Sequence, residues 1–90
     1  MNKEKAIKMA NDFLDDTYLK GRDMYANCDY KTFKLTDTQE IDIGYVIDGE
    51  ETGITCRSVT DGDLTEACST LERSAEKIAD CILKLCENME

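Results

Sequence analysis

The sequence predicts a single α+β domain over residues 1–90, with the element order α-β-β-β-α and a three-stranded antiparallel sheet packed on two helices. Apolar residues recur at three- and four-residue spacing near both ends of the chain, which is typical of amphipathic helices. Between these segments apolar and polar residues alternate, which is typical of strands with one buried face. The composition, 41% hydrophobic and 34% charged, indicates a globular chain rather than a disordered one.

The first helix is predicted over residues 3–20, with Asn2 as a candidate N-cap. Its apolar stripe consists of Ala6, Met9, Ala10, Phe13, Leu14 and Thr17. Gly21 either ends this helix or lies within a longer one that reaches about Cys28. Because Met24 and Cys28 would prolong the apolar stripe, continuation is the favoured interpretation.

Three strands are predicted next: Tyr30–Thr36, Glu40–Asp48 and Gly53–Thr60. A hairpin in which Ile47 lies opposite Ile54 places the apolar residues of the second and third strands on one buried face. The other face is expected to contact water. In this register Arg57 lies opposite Gly44 and near Asp42.

The last segment predicts one long helix from residue 64 to residue 89. Asp63 with Glu66 three residues later is similar to a capping box. The apolar residues step alternately by four and three, as in a heptad repeat: Leu64, Cys68, Leu71, Ala75, Ile78, Ile82, Leu85 and Met89. Such a helix would be about 39 Å long. A compact chain of this size is only about 30 Å across, so one end should extend beyond the sheet.

The sequence leaves two arrangements open for this helix. In the first, the N-terminal helix packs antiparallel along it. In the second, it is the seam of a homodimer, with the seam residues Leu71, Ile78, Ile82 and Leu85.

The five cysteines are Cys28, Cys56, Cys68, Cys81 and Cys86. Their number is odd, and four of them lie on apolar faces of the predicted elements, so they are interpreted as buried, reduced thiols. A metal site would need cysteine or histidine at short spacing, such as Cys-x-x-Cys, and the sequence has none. We therefore predict that no cysteine binds a metal ion.

Several classes of function are disfavoured by the composition. The chain contains no His, so it has neither imidazole metal ligands nor the usual general base of nucleophilic triads. It also lacks a Gly-rich phosphate-binding loop, so we expect no enzymatic activity and no cofactor. A net charge of −9 disfavours direct binding to nucleic acid or to anionic membranes. No apolar stretch approaches the ~20 residues of a membrane span, and no signal peptide is evident, so we expect a cytoplasmic protein.

The negative charge is concentrated in residues 37–66, which hold one basic residue, Arg57, and nine acidic ones. The acidic residues predicted to bind a partner are Asp42, Asp48, Glu50, Glu51, Asp61 and Asp63. Such a surface would attract a strongly basic partner and speed its association. The alternative is a solvated surface that only keeps the protein soluble and guards the sheet edges.

In size, element order and acidic hairpin, the chain resembles the phage-encoded anti-CRISPR proteins, in particular small acidic inhibitors of Cas9. The resemblance covers Tyr30–Leu85 and is one of topology and charge, without a motif that transfers residue by residue. It implies a nucleic-acid-imitating inhibitor that occupies the basic groove or the PAM-reading arginines of a CRISPR effector. The second hypothesis is a small dimeric ligand-binding, sequestering or scaffold protein that uses the C-terminal helix as its seam.

Overall fold

The computed structural model describes residues 1–16, 30–48 and 51–89, with side chains at all of these positions except 47, 48, 51 and 52. The elements in chain order are α1 (Lys3–Leu14), β1 (Tyr30–Lys34), β2 (Gln39–Asp48), β3 (Glu51–Thr60), β4 (Asp63–Thr70) and α2 (Ala75–Met89). The fold class is α+β, as predicted, but the antiparallel sheet has four strands in the order β1-β2-β3-β4 rather than three. Neither helix in the described ranges is long and apolar enough to cross a bilayer.

Helix α1 begins as the sequence predicts. The side-chain oxygen of Asn2 accepts a hydrogen bond from the backbone N–H of Lys5 at 2.8 Å and so caps the first turn. Glu4 adds a negative charge where the helix dipole is positive. The predicted N-cap is therefore confirmed.

The same helix ends earlier than predicted. The backbone N–H of Asp15 still bonds to the carbonyl of Asn11 at 2.9 Å, but that of Asp16 bonds to Phe13, only three residues back, at 3.1 Å. A hydrogen bond that spans three residues, as in a 3₁₀-helix, is typical of the final turn of an α-helix. The prediction of a helix through residue 20 is thus wrong at Asp15 and Asp16, and its continuation to Cys28 lies outside the described residues.

The β2–β3 hairpin has the predicted faces but a different register. Tyr45, rather than Ile47, lies opposite Ile54, because pairing continues to Asp48 and Glu51 and leaves only two residues between the strands. The register therefore differs from the predicted one by two residues. Since side chains alternate with a period of two, such a shift leaves every side chain on its predicted face.

Strand β4 is the main correction to the predicted fold. Residues 63–70, which were expected to begin the long helix, pair with β3. The two strands are joined by Asp61 and Gly62, whose φ angles of 53° and 83° are those of a type I′ hairpin turn. Asp63 therefore pairs with Thr60 instead of capping a helix.

Helix α2 is consequently shorter than expected, with 15 residues where the prediction spans residues 64–89. It starts at Ala75, with the backbone N–H of Ile78 bonded to the carbonyl of Ser74 at 3.0 Å. Its 15 residues span about 22 Å, so it does not extend beyond a molecule whose longest dimension is 35 Å.

Both helices cover one face of the sheet and contact each other, so the last helix packs on the N-terminal helix of its own chain. The aromatic rings of Phe13 and Tyr45 lie 4.7 Å apart where α1 meets β2. The fully or nearly fully buried hydrophobic residues are Ala6, Met9, Ala10, Phe13, Ile41, Ile43, Tyr45, Ile54, Cys56, Ile78, Ala79, Cys81, Ile82, Leu85 and Cys86.

The predicted dimer seam is not a surface of this fold. Ile78, Ile82 and Leu85 have no solvent exposure, because they pack in the core of their own chain. Leu71, by contrast, lies between β4 and α2 and is 60% exposed. The four residues therefore do not form one helical stripe.

Candidate functional site

The acidic residues of segment 37–66 are divided between the two ends of the sheet. At one end the β1–β2 turn meets the β3–β4 turn, and the backbone N–H of Asp61 donates to the carbonyl of Thr38 at 2.8 Å. Asp37, Asp61 and Asp63 are all exposed there. Together with the half-buried Glu40 at the start of β2, they are called the acidic turn end below.

The second acidic group lies at the opposite end of the β2–β3 hairpin. Asp48 and Glu51 are paired there, with Glu50 between them in sequence. Strand β2 has ten residues, so its two ends are about 30 Å apart at ~3.3 Å per residue. The six predicted binding residues therefore do not form one continuous face, although Asp61 and Asp63 do lie together.

Asp42 lies at neither end of the sheet, and its carboxylate is bound by neighbouring side chains within the sheet. Its register partner is Arg57, which was predicted to lie opposite Gly44, and the Arg57 Nε donates to its carboxylate at 3.3 Å. The hydroxyl of Thr32 donates to the other carboxylate oxygen at 2.8 Å. The Arg57 guanidinium also lies 3.8 Å from the centre of the Tyr30 ring. Asp42 is only 8% exposed, so the expectation that it lies on a face in contact with water is wrong, and its charge is compensated within the protein.

Hydrogen bonds fix the backbone of the acidic turn end. The hydroxyl oxygen of Thr36 accepts from the backbone N–H groups of Thr38 and Gln39 at 3.3 and 3.1 Å. The backbone N–H of Leu35 donates to the carbonyl of Gln39 at 2.9 Å. A surface held in this way loses little conformational freedom when it binds.

The electrostatics of the acidic turn end favour a cationic partner. Lys34 lies opposite Glu40 across β1 and β2, so its ammonium group offsets part of the local charge. The one basic residue of segment 37–66, Arg57, is paired with Asp42. Met1 and Lys5 also lie near this turn, since they line a cleft together with Thr36 and Gln39. The three exposed aspartates nevertheless form a local cluster of negative charge, which attracts cations.

A second group of reactive side chains lies on the helix-covered face. Cys56 and Cys68 are direct partners across β3 and β4, and Cys81 approaches them from α2. The Sγ atoms of Cys68 and Cys81 are 3.1 Å apart. The four cysteines in the described ranges, the fourth being Cys86, are free thiols.

The three thiols have unequal acidities. Hydrogen bonds from Cys56, and to a lesser degree from Cys68, lower the pKa of Cys81 to about 6, although burial opposes this shift. Burial and the hydrogen bond to Cys81 raise the pKa of Cys68 to about 11. The hydrogen bond to Cys81 and burial also raise the pKa of Cys56. Cys81 is therefore the thiol that ionises first.

The cluster was not foreseen, because Cys68 was assigned to a helix. Its three sulfurs do not form a metal centre: among residues 1–16, 30–48 and 51–89, no group of three or more His, Cys, Asp or Glu side chains has a geometry that could hold a metal ion.

The clefts offer little for a small ligand. One with a volume of about 190 Å³ lies between the N-terminus and the end of α2 and is lined by both apolar and polar residues: Met1, Lys5, Leu35, Thr36, Gln39, Cys86 and Met89. A larger one of about 360 Å³ is lined by charged groups that include Asp80, Lys84 and Glu87. Ligand pockets usually occupy about 300–1,000 Å³ and bury most of the ligand. These two clefts of the described residues are therefore small or lined by charged side chains.

No protein-family model, curated protein or solved structure matches this chain. The element order behind the resemblance to small acidic anti-CRISPR proteins has one strand fewer than the structure. The other basis of that resemblance, the concentration of acidic residues in segment 37–66, is a property of the sequence and is unaffected.

Proposed function

We propose that the protein is an acidic binding module that inhibits a basic nucleic-acid-binding protein through the acidic turn end. The observation that carries the proposal is the hydrogen bond from Asp61 to Thr38, which joins two turns from different hairpins and gathers three exposed aspartates. A surface kept acidic for solubility alone would not need its carboxylates held together, since clustering like charges costs stability.

In this proposal the carboxylates imitate phosphate groups. A protein that binds nucleic acid presents lysine and arginine side chains along its groove, and these also bind carboxylates. By occupying that groove, the module would exclude nucleic acid, in the manner of an anti-CRISPR inhibitor acting on a CRISPR effector. It performs no catalysis, and its action depends on affinity and on the speed of association.

The dimeric ligand-binding alternative loses its main support. Its seam needs Ile78, Ile82 and Leu85, which are already buried in their own chain. Its ligand would need an enclosed site, and the described clefts are small or lined by charged side chains. We therefore retain one proposed function.

The proposal is tested with two variants that change the net charge equally at opposite ends of the sheet. The turn-end variant carries Asp37→Lys, Asp61→Asn and Asp63→Lys. Asparagine is chosen at position 61 because it tolerates the left-handed backbone found there. The control variant carries three matched substitutions at the other end: Asp48→Lys, Glu50→Lys and Glu51→Gln.

The immobilised wild-type protein and both variants are incubated with a bacterial lysate, and the retained proteins are identified. We expect the wild type and the control variant to retain a basic nucleic-acid-binding protein that duplex DNA or RNA displaces. The turn-end variant should lose it. Equal retention by both variants, or a retained partner that nucleic acid does not displace, would contradict the proposal. Circular dichroism confirms that both variants fold.

A further inference from the structure

The three thiols come from three different elements that meet at one edge of the core. Cys68 lies on β4, which is an edge strand paired only with β3 in the described sheet. Cys81 lies on α2, and its sulfur is 3.1 Å from that of Cys68. Cys56 lies beside Cys68 on β3 and is fully buried.

Ordinary core packing does not account for this arrangement. A buried thiol that acts as a small hydrophobe is surrounded by carbon atoms and is chemically inert. Here two sulfurs from separate elements are closer than ordinary van der Waals contact between sulfur atoms. Cys68 is also partly exposed to solvent and Cys81 keeps 6% exposure, so the pair lies at the edge of the core rather than in its centre.

We propose that Cys68 and Cys81 form a redox-active dithiol, which a hydroperoxide such as hydrogen peroxide converts into an intramolecular disulfide linking α2 to β4. This proposal does not depend on the proposed binding function. It identifies a modification site for which the chemical requirement is a small two-electron oxidant.

The reaction takes place in two steps. The Cys81 thiolate attacks one oxygen of the peroxide; the O–O bond breaks, Cys81 becomes a sulfenic acid, and the departing hydroxide takes up a proton to form water. The Cys68 sulfur then attacks the Cys81 sulfur, the S–O bond breaks, and the Cys68 proton and the hydroxyl group leave as a second water. Two thiols thus lose two electrons, and one peroxide gives two molecules of water.

Cys81 is the attacking thiol because it is held as an acceptor of hydrogen bonds. Cys68 donates to it. The neighbouring Cys56 and Cys68 both lower the pKa of Cys81, as does Lys84 on the same helix, whereas burial and Asp80 raise it. At pH 7, a thiol with a pKa of about 6 is roughly 90-fold more ionised than one with the ordinary value of 9.0. Cys56 is a positioning residue, since it is buried and acts through Cys81.

Cys68 is suited to the second step. Burial and its hydrogen bond to Cys81 raise the pKa of Cys68, with a smaller effect from Glu66, so it remains a thiol until the sulfenic acid has formed beside it. A disulfide has an S–S distance of about 2.05 Å, so the sulfurs must approach by about 1 Å. An edge strand, paired on one side only, can accommodate such a shift.

The full-length protein provides a direct test, because trypsin places each cysteine in a separate peptide. These peptides are residues 23–31, 35–57, 58–73, 78–84 and 85–90. The protein is treated with hydrogen peroxide at pH 7, the remaining thiols are blocked with iodoacetamide, and the unreduced digest is analysed by mass spectrometry. We expect peptide 58–73 linked to peptide 78–84 as the main product, and dithiothreitol should separate them.

A different main product, or blocked thiols on both peptides after the peroxide has reacted, would overturn the proposal with the wild-type protein alone. Cys68→Ser should abolish the link and leave a sulfenic acid on Cys81 that dimedone traps. The matched variant Cys86→Ser should still form the link.

The pH dependence of the oxidation rate gives a second readout. The rate should rise with pH through about 6 and then level off, because Cys81 is fully ionised above that pH. An ordinary thiol would continue to gain rate up to about pH 9. Cys56→Ala removes a hydrogen-bond donor and should move the levelling point to higher pH. A rate that still rises steeply between pH 7 and 9 in the wild type would contradict the assigned role of Cys81.

Discussion

Replacing Ile82 by alanine distinguishes a helix that belongs to the core from one that forms a dimer seam. Ile82 has no solvent exposure and belongs to a core cluster formed by residues of both helices and the sheet within one chain. Truncation of a buried isoleucine removes its transfer free energy and leaves a cavity, which together cost about 2–5 kcal/mol. The total stability expected for this chain length is only about 5–13 kcal/mol, so the loss is a large fraction of it.

The control is Leu71→Ala, at a residue of the same predicted seam that is 60% exposed in the structure. Its truncation should cost about 1 kcal/mol or less, because most of the side chain already contacts water. In a heptad seam the two substitutions would have comparable effects. In the observed fold they differ by several-fold.

Thermal unfolding followed by circular dichroism at two protein concentrations measures both effects. A loss of about 3 kcal/mol corresponds to a fall in Tm of roughly 12–24 °C for a domain of this size. The fall for Ile82→Ala should be the same at both concentrations, because the lost contacts are within one chain. Equal effects for the two variants, or a wild-type Tm that rises with protein concentration, would refute this account of the C-terminal helix.

Two further pairs of substitutions test the sheet. Arg57→Ala leaves the nearly buried carboxylate of Asp42 without its ion-pair partner. Because Arg57 itself is partly exposed, we expect the free energy of unfolding, measured in urea, to fall by about 1–3 kcal/mol. Adding Asp42→Asn to this variant should restore most of that loss. A loss within error of zero would show that the pair contributes nothing. Gly62→Ala should lower the free energy of unfolding by about 1 kcal/mol or more, since φ is 83° at that position, whereas Asp61→Asn should leave it nearly unchanged. An unchanged stability of Gly62→Ala would contradict the type I′ turn.

The sequence was sufficient to predict an element where its pattern of residues fits only one kind of secondary structure. In β2, alternation over Ile41, Ile43 and Tyr45 fits only a strand with one buried face, and all three residues are buried. The cap at Asn2 was also predictable, because it depends on local geometry alone.

Strand β4 was missed because its apolar spacing fits two structures. Leu64 and Cys68 are four residues apart, which suits one face of a helix and equally one face of a strand. The Asp61-Gly62 pair favours a hairpin and was the signal that could have decided between them.

The thiol cluster could not be predicted from the sequence, because it depends on an irregularity in the sheet. Counting back from the two-residue turn, a regular hairpin would place Ala67 opposite Cys56. The pairing skips Thr65, so β4 has one extra residue and Cys68 takes that position instead. Such a bulge results from packing, and no local pattern in the sequence predicts it.

The positions of the charges in space also could not be predicted from the sequence alone. Acidic residues that are close in sequence, such as Asp42, Asp48 and Asp61, are separated in space because antiparallel strands carry them to the middle and to opposite ends of the sheet. Counting charges along the chain located the acidic segment. Only the strand pairing shows which carboxylates lie together.

The claim that the acidic turn end is the binding surface is tested most directly by the association rate constant of the retained basic protein. It is measured for the wild type, the turn-end variant and the control variant at low and high salt. We predict that at low salt the turn-end variant associates about tenfold more slowly than the wild type, and the control variant less than about threefold more slowly. The difference should shrink at high salt, because exposed charges are then screened within a few ångströms. If the turn-end variant associates as fast as the wild type, or if both variants slow equally, the acidic turn end is not the binding surface.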